Sequence, residues 1–153
     1  MYMTQKEEIT QNIMVEFSKT VELFGLTPLE ARLFSYLYLS GKALTLDEMS
    51  TALGKSKTTM STNIRSLLDL NLVSRVWKKG VRKDLYKANT QLMKGFLSFY
   101  LKRWKDQVNH QKEALEEIDN KIDKRSSDMD NITDRLQEII HFHAQLEKLY
   151  NKD

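Results

Sequence analysis

No cysteine occurs in this chain, which rules out a disulfide scaffold and any thiolate-ligated metal site and makes an intracellular setting the natural expectation. Histidine is scarce too. His141 and His143, two apart on a helical stretch, point in different directions and His110 is remote, so no metal centre is expected. Proline occurs once and glycine five times, so breaks in the chain are few and each is informative. There is no long uninterrupted apolar run, and Met1–Glu8 lacks the basic-then-apolar form of a signal peptide. A Gly-rich phosphate loop, a nucleophile elbow and paired carboxylates in a plausible pocket are also missing. The expectation is a soluble, cytoplasmic protein with no catalytic residue, no cofactor and no membrane partner.

What is present is a chain of 153 residues with 41% apolar residues, enough for a packed core, and 29% charged ones, as in a well-solvated helical protein. The net charge of +3 is unevenly spread. Residues 1–40 hold three basic and five acidic side chains, and residues 91–153 hold eleven and twelve. Residues 41–90 hold ten basic against four acidic, a local net of +6. A basic segment can be mere solvated surface. It becomes the footprint of a polyanion when the order of elements fits one.

That order is legible. Ile9, Ile13, Phe17 and Val21 recur every four residues and predict a helix over Lys6–Phe24, ended by Gly25. Thr27-Pro28-Leu29-Glu30 joins a capping threonine, proline at the first helical position and a capping-box glutamate. It starts a second helix to Ser40 that buries Leu29, Leu33 and Leu37. Thr45-Leu46-Asp47-Glu48 repeats the capping box for a short third helix, with Leu46, Met49 and Leu53 inward and Gly54 at its left-handed end. Ser56 caps a fourth helix to about Asn71. Val73–Trp77 and Asp84–Ala88 read as strands joined by a Gly-containing basic hairpin loop.

The fourth helix buries Met60, Ile64, Leu67 and Leu68, while about 100° per residue turns Thr58, Ser61, Thr62, Arg65 and Asp69 to the opposite face. Small hydroxyl side chains let a helix approach a duplex closely, and an arginine can reach a guanine edge or a phosphate. Lys55, Ser56 and Lys57 stand at the helix start, where exposed N–H groups favour phosphate. Solvated helix faces commonly mix glutamate with lysine; this one has none of the former. In the hairpin loop Lys78, Lys79, Arg82 and Lys83 surround Gly80, and their mutual repulsion is offset when a phosphate backbone lies against them. Lysines there also guard an edge strand against aggregation, and both roles can hold.

The segments Leu44–Glu48, Leu53–Lys57, Ser61-Thr62-Asn63-Ile64-Arg65 and Gly80-Val81-Arg82-Lys83-Asp84-Leu85-Tyr86 resemble the GbsR family of MarR-like winged-helix regulators over about residues 25–99. The resemblance implies a homodimeric transcriptional regulator, often a repressor of genes for uptake or synthesis of compatible solutes such as glycine betaine. It also implies a quaternary ammonium effector of the choline type, for which Trp77, Phe96, Phe99, Tyr100 and Trp104 are the candidate aromatic cage. Residues 96, 99, 100 and 104 also share one helical face, the spacing of a core stripe.

From Leu92 the chain reads helical. Val108, Leu115, Ile118, Ile122, Met129, Ile132, Leu136, Ile139, Leu146 and Tyr150 fall three and four apart, interrupted by Gln111, Arg125 and His143. This is a heptad seam for helix pairing. Ser126–Asp128 is its expected interruption, giving two helices that fold back or cross rather than one rod. The acidic run Glu113, Glu116, Glu117, Asp119 and Asp123 is the wet face of that pair.

The expected architecture is mainly α with a small β-wing. Residues 1–24 form an N-terminal helix in a dimer interface, residues 25–90 a winged helix-turn-helix, and residues 91–153 a helical dimerisation and effector region. Dimerisation is assigned to Ile13, Phe17, Leu115, Ile118, Ile122, Ile132, Leu136, Ile139 and Leu146. Two reading heads about a two-fold axis predict a palindromic duplex operator, with half-sites about one helical turn or a small multiple apart. The alternatives are a MarR-like regulator with another effector or none, and a winged-helix protein-interaction scaffold.

Overall fold

Capping boxes start each of the first three helices. In α1 (Gln5–Glu22), α2 (Pro28–Ser40) and α3 (Leu46–Leu53), the hydroxyls of Thr4, Thr27 and Thr45 accept the N–H of Glu7, Glu30 and Glu48, whose carboxylates accept the threonine N–H in return. The boxes at Thr27 and Thr45 are those expected from sequence; the one at Thr4 carries α1 slightly beyond its expected start. The computed structural model describes residues 3–151, and the chain divides after Leu97 into two compact units.

In the first unit α4 (Lys57–Asp69) follows its cap Ser56, whose hydroxyl accepts the Thr59 N–H at 3.1 Å. It ends short of the expected Asn71 because Asn71 takes a left-handed backbone, φ 60°, and swings the chain into the sheet. The Asn71 carbonyl accepts the Asn89 side-chain amide, which ties the end of α4 to the far side of the hairpin. Strands β1 (Val73–Val76) and β2 (Leu85–Ala88) pair antiparallel, Val73 opposite Ala88 and Val76 opposite Leu85. Leu44 adds a bridge to the other edge of β2, exchanging two 2.9 Å backbone hydrogen bonds with Tyr86.

The core of this unit is Leu33, Phe34, Leu37, Met49, Met60, Ile64, Leu67 and Leu72, all essentially inaccessible. Burying each such side chain contributes about 1.5–3 kcal/mol. Leu29, Leu46 and Leu68, expected inward, are only half-buried because they sit at the margins of their helices' apolar faces. Helix α1 crosses α2 where two small residues meet: buried Ser18 donates to Ser35 at 3.1 Å, and Ser35 donates to the Ala31 carbonyl. Of the expected α1 stripe, Val21 is buried and Phe17 half-buried, whereas Ile9 and Ile13 are exposed on the single chain.

Helix α5 (Leu92–Lys121) begins in the first unit. There Phe96 packs edge-on against Phe34 at 5.0 Å and tilted against Phe24 at 5.1 Å. In the second unit α5 is followed by a 3-10 turn (Ser127–Met129) and α6 (Asp130–Tyr150). The two helices fold back antiparallel, as shown by Trp104 against Tyr150 at 4.7 Å and Lys112 bonded to Glu147 at 2.9 Å. The expected seam does not face one way. Val108 and Leu136 are buried and Leu115, Ile122 and Leu146 half-buried, but Ile118, Ile132 and Ile139 are exposed. A two-helix hairpin can cover only one strip of each helix, and this apolar stripe is wider. Among the described residues no helix is long and apolar enough to cross a membrane.

Candidate nucleic-acid interface

The helical period that buries Met60, Ile64 and Leu67 leaves Thr58, Thr62 and Arg65 exposed on α4 and Ser61 half-buried. The Thr62 hydroxyl donates to the Thr58 carbonyl at 3.1 Å, and the Asn63 amide to the Thr59 carbonyl at 2.8 Å. These local bonds hold the side chains close to the helix and keep its outer surface low. Ser66, further round, donates to the Glu30 carboxylate and so fixes α4 to α2. Arg65 has no ion-pair partner among the described residues and projects from this surface. Ser56, expected to be a contact residue, has its hydroxyl engaged by the cap and by Thr59 at 2.8 Å.

The hairpin tip closes by a bond from the Val81 N–H to the Lys78 carbonyl at 3.1 Å, with Gly80 at φ 84°. Both strands stop one residue short of expectation at the tip, leaving Trp77 and Asp84 in the loop. Lys78, Lys79 and Arg82 are exposed and free of ion pairs among the described residues. At the base, Arg75 lies over the Tyr86 ring at 5.7 Å, a cation–π contact that stiffens the sheet.

Lys57 and Lys83 do have a partner. Asp47, in the first turn of α3, receives Lys83 at 2.8 Å on one carboxylate oxygen and Lys57 at 3.5 Å on the other. One side chain therefore spans the start of α4 and the base of the wing, which places the two basic elements beside each other. The lysine hydrogen bond and the two ammonium charges hold the Asp47 carboxyl below its ordinary range, and Asp47 raises Lys83 in turn. Sequence reading missed Asp47, since its capping-box surroundings explain an acid there without any partner.

The five aromatic residues considered for a cage fall into different settings. Phe96 belongs to the core, as its helical-face spacing also allowed, and Trp77 is 82% exposed beside the wing. In the second unit Trp104 packs on Tyr150. The Tyr150 hydroxyl is pushed up by burial and by Tyr100, which places Tyr100 in the same neighbourhood. Phe99 is half-buried.

Known proteins share the family and the fold. The MarR family model matches residues 24–78. The HTH-type transcriptional repressor GbsR of Bacillus subtilis (strain 168) is 30% identical over 92% of this chain and 78% of its own. The HTH-type transcriptional repressor OpcR of the same organism is 26% identical over 94% of this chain and 83% of its own. A crystal structure of a transcriptional regulator superposes with a TM-score of 0.64 over 92% of both chains at 19% identity, a likeness of fold.

Proposed function

Because the chain belongs to the MarR family, among its GbsR-like DNA-binding transcriptional regulators, we propose that it is a homodimeric repressor acting at a palindromic operator. The observation that carries this reading is the adjacency of two surfaces free of ion pairs among the described residues: the Thr58, Thr62 and Arg65 face of α4, and the Lys78, Lys79 and Arg82 tip of the wing. A helix of that shape fits a major groove, with the wing against the flanking backbone. The repressor sense follows the described role of the relatives GbsR and OpcR. The target genes, those for uptake or synthesis of compatible solutes, follow the family resemblance.

Selection of bound duplexes from a random pool tests the reading, and an enriched palindrome is expected. On that duplex Arg65→Ala costs about 1–3 kcal/mol and relaxes preference at one base pair, whereas Lys79→Ala weakens all sequences alike and flattens the salt dependence by about 1. If no palindrome is enriched and both variants bind like the parent, the DNA-reading role fails.

The effector proposed is a quaternary ammonium compound of the choline type, met by Tyr100, Trp104 and Tyr150 in the second unit, with Phe99 beside them in sequence. Choline is expected to release the operator in a mobility-shift titration, and Trp104→Ala to abolish that response without altering DNA binding. Operator binding unmoved by millimolar choline would remove this part of the proposal.

A further inference from the structure

We propose that Asp47 is a specificity-determining residue: an internal anion that occupies Lys57 and Lys83 in the free protein and so suppresses binding to non-operator DNA. The inference rests on the DNA-binding reading above. Its basis is the three-way contact in which one carboxylate takes the Lys83 ammonium at 2.8 Å and the Lys57 ammonium at 3.5 Å.

All three side chains remain accessible, Asp47 at 47%, Lys57 at 60% and Lys83 at 66%. Pairs so exposed contribute little to stability, so the arrangement has no strong structural purpose. Its electrostatic consequence is larger. Asp47 is the single acid within ion-pair distance of the basic surface, among the described residues, and it lowers the charge of the three-residue cluster from +2 to +1. Glu48, the neighbouring acid, has its carboxylate committed to the Thr45 cap.

Two kinds of complex respond differently to such an anion. Binding to arbitrary sequence is almost wholly phosphate neutralisation, and scales with the cations free to displace counterions. Operator binding adds base contacts from the α4 face, which do not depend on that count. In the operator complex the base contacts fix the pose of α4 with Lys57 and Lys83 still on Asp47. A complex on arbitrary sequence, held by phosphates alone, gains by drawing both lysines off the acid, so Asp47 penalises this first kind more than the second.

The test compares the wild-type chain with Asp47→Asn, measuring affinity against salt for the selected operator and for a scrambled duplex of equal length and composition. Asp47→Asn should bind the scrambled duplex on the order of tenfold more tightly near 0.1 M salt, with a log–log salt slope steeper by about 0.9. The operator should gain less, so that the selectivity ratio falls. Asp47→Glu should restore the ratio. Asp134→Asn, the same charge change at an exposed acid of α6, should leave both duplexes nearly unmoved. Unfolding midpoints of the variants should match the parent, which separates a charge effect from damage to α3. An unchanged slope on scrambled DNA, or equal gains on both duplexes, overturns the inference while leaving DNA binding intact. A parent chain that binds no duplex overturns the DNA-binding reading itself, and this inference with it.

Discussion

The Asp47 carboxyl titrates below the ordinary carboxylate value of 3.8, chiefly through the hydrogen bond from Lys83 and then through the charges of Lys57 and Lys83. A folded value below the unfolded one means the pairing stabilises the fold above pH 3.8 and is lost as pH falls through the folded value. Lys83 is raised above 10.5, chiefly by its hydrogen bond to Asp47, so its share is complete below 10.5 and is lost as pH rises through its folded value. Between these limits the contact is constant, and no sensitivity near neutrality is expected from it. Carbon NMR of the side-chain carboxyls should show Asp47 titrating below 3.8 and moving upward in Lys83→Met. A value unmoved by that substitution would contradict the assigned cause. At this scale the sequence was only partly legible. Thr58, Thr62 and Arg65 could be placed because the helical period assigns faces. The Asp47–Lys83 contact could not, because the two residues lie 36 apart and meet only through the way the wing folds against α3.

At the scale of the element, the helix starts were the most readable features because a capping box is entirely local. Thr45→Ala removes the hydroxyl that accepts the Glu48 N–H and should cost about 1 kcal/mol, seen as a lower urea midpoint with an unchanged denaturant slope. Loss of slope as well would mean that α3 itself had come undone. Helix ends were less readable. The turn at Asn71 depends on an asparagine in a left-handed conformation held by the distant Asn89 side chain. The break between α5 and α6 was legible in position, although the heptad register runs through it. What the register concealed was direction. Lys112 meets Glu147 across the hairpin with both side chains about four-fifths buried, and a pair so placed sets the alignment of two helices whose apolar stripes allow several.

At the scale of the whole molecule, apolar side chains among the described residues stay exposed on the single chain. On α6, Ile132, Ile139, Phe142 and Leu149 are all exposed and follow one another at seven, three and seven residues, a continuous strip on one face. Such strips on soluble proteins mark association surfaces. On the proposed homodimer, Phe142→Asp should lower the mass seen in sedimentation from dimer to monomer, and operator affinity should fall with it, while helical content is retained. A variant that sediments as the parent does would exclude this strip from the interface. Phe142 and Leu149 lay outside the seam read from sequence, because a heptad register records one stripe per helix and not the second stripe beside it.

The two hydrogen bonds between Leu44 and Tyr86 have a mechanical consequence for the wing. A two-stranded ribbon attached at one end can swing as a whole; this ribbon is also held at Tyr86, on its inner strand, to the segment that leads into α3. Swinging it would break both bonds, so compliance is confined to the tip around Gly80. In the proposed DNA complex the wing would act as a short lever anchored near α3, with Gly80 giving its tip room to follow groove width.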